Sequence, residues 1–153
     1  MKKSTFKLGE LFCGPGGIAH GAMSAVSPNF TVEHAWATDY DKDTCDTYRN
    51  NICPESSDTV ICQDIRKLKI KTLASISDID ALAFGFPCND FSVVGEQKGM
   101  DGVYGPLYSY GIDVLHKFQP KWFMAENVGG LRNSNDGKAF STILTDMFDA
   151  GYS

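Results

Sequence analysis

Three short segments of this chain carry residue types that do chemistry. Gly14-Pro15-Gly16-Gly17 interrupts an apolar run with glycines, and Asp39 stands 22 residues after Gly17 at the end of the next apolar run. Glycines admit a ligand close to backbone amides, and a carboxylate at that distance accepts hydrogen bonds from a ribose diol; together they form the layout of a nucleotide-type site. The turn Gly14 to Ala19 fits G-x-G-x-x-A and, by itself, reads equally well as a tight turn. Asp39 is what favours an adenosine moiety. Tyr40 is placed to lie against an adenine ring, with an ordinary core aromatic as the plain alternative. Asp64 is placed to accept from an adenine amino group, with a helix N-cap as its alternative.

The second segment centres on Cys88, preceded by Pro87 and followed by Asn89-Asp90. At the end of a buried strand that setting favours an exposed thiol; alone, Cys88 stays open between a reactive and a structural role. Cys45 and Cys62 read as packing residues and Cys13 as a small filler beside the turn. In the third segment Glu126 emerges from Trp122-Phe123-Met124-Ala125, where desolvation is expected to raise its pKa until it shares a proton near neutral pH. Its alternative is a strand-end residue bonded to loop amides. His20, His34 and His116 lack metal-ligand spacing, so no metal site is expected and each reads as structural or solvated.

A fold must deliver these segments. With 153 residues, 42% hydrophobic and 22% charged, the chain has room for one α/β domain and no apolar run near the roughly 18 residues of a membrane span. A net charge of −5 argues against binding a polyanion by charge alone. Five cysteines without a C-x-x-C pair, and a start with no apolar leader, read as free thiols in a reducing cytoplasm.

Apolar runs predict strands over 6–12, 33–38, 60–62, 79–84 and 122–125, alternating with helices over 18–26, 42–50 and 107–118. A last helix buries Phe140, Ile143, Leu144, Met147 and Phe148 and is capped by Gly151. The alternation predicts a mostly parallel sheet with helices on both faces. Every reactive segment then sits at the carboxyl ends of strands, where such sheets bind ligands. The stretch 92–106, with Gly95, Gly99, Gly102 and Gly105, reads as a mobile lid. Gly151-Tyr152-Ser153 falls where another strand would begin, so the sheet is expected to be truncated before its last strands.

Leu11-Phe12-Cys13-Gly14-Pro15-Gly16-Gly17, Gly85-Phe86-Pro87-Cys88-Asn89-Asp90-Phe91-Ser92 and Glu126-Asn127-Val128 resemble, in order, three motifs of the cytosine C5 methyltransferases. Gly95-Glu96-Gln97-Lys98-Gly99 is similar to the family's segment after the nucleophile. The resemblance runs from about Lys7 to the end. It implies a Rossmann-like S-adenosylmethionine-dependent methyltransferase fold, with the cofactor held by Phe12, Gly14, Gly16, Gly17, Asp39, Tyr40, Asp64 and Ile65. It further implies Cys88 as nucleophile toward a flipped-out cytosine, with Pro87, Glu126 and Asn127 beside it. Ser92, Gln97 and Lys98 would contact phosphate or sugar.

Departures also count. Glu10 stands where family members commonly have Asp, and Asn89-Asp90 replaces a pair that is often Gln-Pro. The family's arginine-bearing motif, its target-recognition region and its last helix would lie after Ser153. Residues 1–153 are thus expected to be the N-terminal part of a catalytic domain, acting on DNA with a target cytosine, in a restriction-modification setting. The rest would come from a longer chain or a second polypeptide. Alternatives are a non-catalytic S-adenosylmethionine-binding or partner-binding module, a tRNA cytosine-5 methyltransferase, and a nicotinamide-dependent dehydrogenase. The last leaves Pro87-Cys88 and Glu126-Asn127-Val128 unexplained.

Overall fold

A computed structural model describes residues 3–87 and 107–153. The expected strands form as β1 (Ser4–Leu11), β2 (Phe30–Asp39), β3 (Val60–Cys62), β4 (Ala81–Gly85) and β5 (Trp122–Glu126). They make one sheet in the order β3-β2-β1-β4-β5, with β1, β2, β3 and β4 in parallel pairings. The order reverses between β1 and β4, so the turn that follows β1 leaves the sheet at a topological switch point. The helices are α1 (Gly17–Met23), α2 (Lys42–Ile52), α3 (Ile70–Ile76), α4 (Tyr108–Phe118) and α5 (Lys138–Asp149).

Helix α3 has no forerunner in the sequence reading. It is seven residues long and buries only Leu73, too little for a periodic stripe to show. Helix α1 ends at Met23 rather than continuing to Val26, which is 98% exposed. None of the described helices is long and apolar enough to cross a membrane.

The chain divides into two compact units, Met1–Phe84 with Phe118–Met124 and Gly85–Lys117 with Ala125–Ser153. In the first, the two sheet faces are built differently. One face presents Ala37, Ala81 and Ala83, small residues that let Ala19 of α1 and Cys45, Tyr48 and Ile52 of α2 pack closely. The alternation of side chains along a strand sends Trp36 to the other face. There it is fully buried, with the Phe118 ring centroid 5.7 Å away.

Trp36 also explains Gly9. The β1–β2 register shifts between Leu8 and Gly9, and a Cβ on Gly9 would stand 2.5 to 2.8 Å from three ring carbons of Trp36. Gly9→Ala is therefore expected to destabilise the chain by about 1–3 kcal/mol, read as a lower urea midpoint. A second substitution, Trp36→Leu, should recover part of that loss. A Gly9→Ala midpoint equal to the parent's would refute the close approach.

The second unit contains α4 up to Lys117, which buries Ile112, Val114 and Leu115. Helix α5 buries Ile143 and Met147, and the Tyr108 hydroxyl donates to Asp146. The predicted stripe on α5 is corrected in part: Leu144 is 49% and Phe148 69% exposed.

Candidate functional site

The first unit carries the glycine turn and its acids. Phe12, just after β1, has φ +54°, and Gly14 and Gly16 have φ +55° and +99°. Three left-handed residues at alternate positions reverse the chain within a few residues; glycine takes that conformation freely, whereas at Phe12 it is strained. Cys13 N–H donates to Thr38 O at 3.0 Å and Gly16 N–H to Cys13 O at 3.2 Å. Gly14 N–H donates to Asp39 Oδ2 at 3.0 Å, and Asp41 N–H to Asp39 Oδ1 at 3.1 Å. Asp39 is thus clamped by one amide on each oxygen, and each oxygen keeps a lone pair for a ligand.

The chain enters α2 directly from this acid. The Asp41 side chain accepts from Thr44 N–H at 2.8 Å, capping the helix, and Arg49 Nη2 donates to Val60 O at 2.6 Å, tying α2 to β3. Gln63 N–H donates to Asp39 O at 2.8 Å, which brings the end of β3 beside the same carboxylate. Tyr40 is 76% exposed, so the core-aromatic alternative fails and an open ring stands beside Asp39.

Asp64 behaves as its plain alternative predicted. It caps the short 3-10 turn Ile65–Lys67, accepting from Arg66 N–H at 3.0 Å, and the Arg66 Nη2 lies 2.6 Å from its Oδ2. These bonds hold the carboxyl well below its ordinary range, at about 2. Ile65 is buried. A Cβ placed on Gly14 or Gly17 meets no atom within 4 Å, whereas one on Gly16 would strike Ile52 at 2.7 Å. The turn therefore has open space above Gly14 and Gly17 and a packed floor beneath Gly16. Open glycines, a clamped acid and an exposed aromatic fit an adenosine-bearing cofactor.

Three thiols near the turn are not nucleophiles. Burial pushes Cys13 far above the ordinary thiol range and Cys45 up to about 12, and raises Cys53. Cys62 departs from its expected packing role: it is exposed at the end of β3, its thiol 3.8 Å from Tyr40 O.

The second unit holds the other strand ends. Asn127 Nδ2 donates to Phe86 O at 2.8 Å, and Val128 N–H donates to Asn127 Oδ1 at 2.9 Å. Asn127 so pins the residue before Pro87 to the end of β5. A Cβ on Gly85 would lie 3.4 Å from Glu126 Oε2, so the glycine leaves room for that carboxylate, a role that its place just before Phe86-Pro87 hinted at and the sequence reading overlooked. Glu126 itself is exposed, and β5 alternates exposed with half-buried residues. The expected buried strand and desolvated carboxyl are corrected accordingly, because β5 is last in the sheet order. Cys88, Ser92, Gln97, Lys98 and the expected lid lie outside the described residues. Among the described residues, no His, Cys, Asp and Glu cluster has the makings of a metal site.

The chain is similar to known proteins in sequence and in fold. The model of a family described as C-5 cytosine-specific DNA methylase matches residues 6–153. Type II methyltransferase M.BbvI of Brevibacillus brevis is 56% identical over 153 residues, covering 95% of this chain and 41% of that protein. Type II methyltransferase M.NgoFVII of Neisseria gonorrhoeae is 36% identical over 146 residues, covering 95% and 36%. Among solved structures, the Entamoeba histolytica methyltransferase EhMeth superposes with TM-score 0.66 at 17% identity, covering 97% of this chain and 44% of that one. S. pombe Dnmt2 gives 0.64 at 20% identity, covering 92% and 42%. Both share the fold. The chain spans about two-fifths of the length of the curated relatives it matches.

Proposed function

Since the chain belongs to the C-5 cytosine-specific DNA methylase family, we propose that it supplies the cofactor pocket and the nucleophile of an enzyme methylating carbon 5 of cytosine in DNA. The observation that carries the reading is the clamped pair of Gly14 amide and Asp39 carboxylate beneath an open glycine turn. S-adenosylmethionine, when bound, supplies an electrophilic methyl group. Phe12, Gly14, Gly16 and Gly17 would hold it along the turn, Asp39 would take the ribose hydroxyls, and Tyr40 would cover the adenine. Asp64 reaches the adenine amino group only with the lone pairs that Arg66 leaves, and Ile65 gives that side an apolar wall.

Cytosine carbon 5 is a weak nucleophile, so the ring must be activated. In this reading the Cys88 thiolate adds to carbon 6 and makes carbon 5 an enamine carbon. Glu126 holds ring N3 and the exocyclic amine as negative charge develops there. Once carbon 5 carries the methyl group, loss of its proton and expulsion of the Cys88 sulfur restore the ring. Pro87 stiffens the approach to Cys88, and Asn127 fixes the backbone before it. Ser92, Gln97 and Lys98 would meet the strand that carries the flipped base.

Residues 1–153 are in this account the N-terminal part of a cytoplasmic methyltransferase catalytic domain in a restriction-modification setting, with target recognition supplied by further sequence or a second polypeptide. One feature of the first unit supports a covering element. An apolar groove of about 360 Å³, lined by Leu8, Ile18, Ala22, Ala83, Trp122 and Met124, lies open with Trp122 37% and Met124 42% exposed.

Titration calorimetry tests the cofactor site on the chain as given. Asp39→Ala is expected to weaken S-adenosylmethionine binding about 10- to 100-fold, the loss of one charged hydrogen-bonding group. Affinity equal to the parent's would remove Asp39 from the site.

A further inference from the structure

The glycine turn rests on a polar chain that no step above uses. Glu10, on β1, is 1% exposed, and the Tyr48 hydroxyl from α2 lies 2.5 Å from its Oε2. That hydroxyl is also 3.1 Å from His34 Nδ1, and His34 Nε2 is 2.6 Å from Thr59 Oγ1. Thr59 in turn donates to Ser56 O at 2.6 Å. Tyr48 connects this chain to the turn, since its ring carbon Cδ2 would lie 3.1 Å from a Cβ on Gly16.

Counting hydrogens narrows the states available. The Thr59 hydroxyl has one hydrogen and gives it to a carbonyl, so His34 Nε2 must be the N–H that donates to Thr59. Two placements of the remaining hydrogens then satisfy every contact. In the first, a neutral Glu10 carboxyl donates to Tyr48 and Tyr48 donates to Nδ1 of a neutral imidazole. In the second, Tyr48 donates to a Glu10 carboxylate and Nδ1–H of an imidazolium donates to Tyr48. Glu10 Oε1 is buried with no hydrogen bond of normal geometry among the described residues, so Tyr48 and the Ala19 amide compensate a carboxylate only in part, and below about pH 7 the neutral chain is the resting form.

The surroundings agree. Burial pushes Glu10 up to about 7, although the Tyr48 hydroxyl and the Ala19 amide of α1 favour its charge, and burial takes His34 down to about 4. The other titratable groups acting on the chain are Cys13 at the turn and Cys53 just after α2; Asp39 and Cys45 in turn act on Cys13. Arg49 and Asp58 act on Cys53. None of these is a cation placed to hold Glu10 ionised.

We propose that Glu10, Tyr48 and His34 are positioning residues of a proton relay, which a cation seated at the Gly14–Gly17 turn drives from the neutral chain to the carboxylate–imidazolium form. The inference rests on the reading that the turn takes S-adenosylmethionine, whose sulfonium is the cation. Two protons move one place each. The Glu10 O–H bond breaks as Tyr48 gains that proton, and the Tyr48 O–H bond breaks as His34 Nδ1–H forms. No proton enters from water or leaves to it. A negative charge thus arises beneath the turn only for the charged methyl donor, and S-adenosylhomocysteine, which lacks the sulfonium, does not summon it. The relay favours donor over product.

Nitrogen-15 spectra of the His34 ring, with carbon-13 spectra of the Glu10 carboxyl, test this on the chain as given. Without ligand, raising the pH through about 7 should ionise Glu10 and move the His34 nitrogens in the same step. Tyr48→Phe keeps the ring that packs on Gly16 and should abolish the His34 response. A parent His34 that ignores the Glu10 titration overturns the relay whatever the ligand does. At about pH 6, between the two values, S-adenosylmethionine should convert Nδ1 to its protonated form and S-adenosylhomocysteine should not. An identical His34 spectrum with both ligands bound overturns the cofactor coupling. Failure of both ligands to bind, by calorimetry on the same sample, refutes the cofactor reading while a shared titration step still upholds the relay itself.

Discussion

Replacing Cys88 by alanine, in the full enzyme that carries this segment, is expected to cut methyl transfer by at least about four orders of magnitude while S-adenosylmethionine still binds. The size follows from the chemistry, since without a covalent bond at carbon 6 the ring has no enamine carbon to offer. It also follows from what surrounds the turn. Cys13, Cys45 and Cys53 are buried and their thiols are held above the ordinary range, so none of them can stand in. Cys62 is exposed, but it sits at the end of β3 with its sulfur 3.8 Å from Tyr40 O, on the side proposed for the adenosine. Transfer of a radioactive methyl group to duplex DNA is the measurement. Turnover near the parent rate would exclude covalent catalysis by this thiol.

Gly16→Ala should have the second largest effect, and Gly17→Ala shows why. At Gly16 the backbone has φ +99° and the new methyl would meet Ile52 Cγ1 at 2.7 Å and Tyr48 Cδ2 at 3.1 Å. Strain and overpacking together are expected to cost about 2–4 kcal/mol of stability. Displacement of the turn should lower S-adenosylmethionine affinity by more than about 100-fold, or 2.7 kcal/mol on the same scale. Gly17 has no left-handed backbone and nothing within 4 Å of its would-be Cβ. There alanine should leave the urea midpoint unchanged, and any loss of affinity reports a ligand filling the space. Parent-like affinity in both variants would place the cofactor elsewhere.

The three motifs were legible because each packs its chemistry into a few consecutive residues. Gly14-Pro15-Gly16-Gly17 encodes its own turn, and Asp39 lies within hydrogen-bonding reach of it because β1 and β2 are parallel neighbours, as the strand-helix-strand spacing predicts. Strands β1 to β4 announced themselves as apolar runs. Helix α3 did not, since a two-turn helix with one buried residue has no period to read. Asp64 was readable as a pair of alternatives; the cap forms because Arg66 is two residues away and reaches it whatever the rest of the chain does, and the adenine contact stands as proposed.

The exposure of β5, Leu144 and Phe148 misled the reading for one shared reason. An apolar pattern states that a face seeks cover, whereas only the arrangement of neighbours states whether cover is present. Glu10 makes the same point for polar groups. In sequence it is an acid within a strand; in space it is sealed under a turn and bonded to a tyrosine 38 residues away. Local order fixes backbone conformation and the period of side chains, so the amino-acid sequence by itself determined the strands, the glycine turn and the candidate chemistry. Which buried groups meet depends on strand order and on which sheet face each helix covers, and those are properties of the assembled chain, so the polar contacts beneath the turn and the exposure of Glu126 were decided by tertiary structure alone.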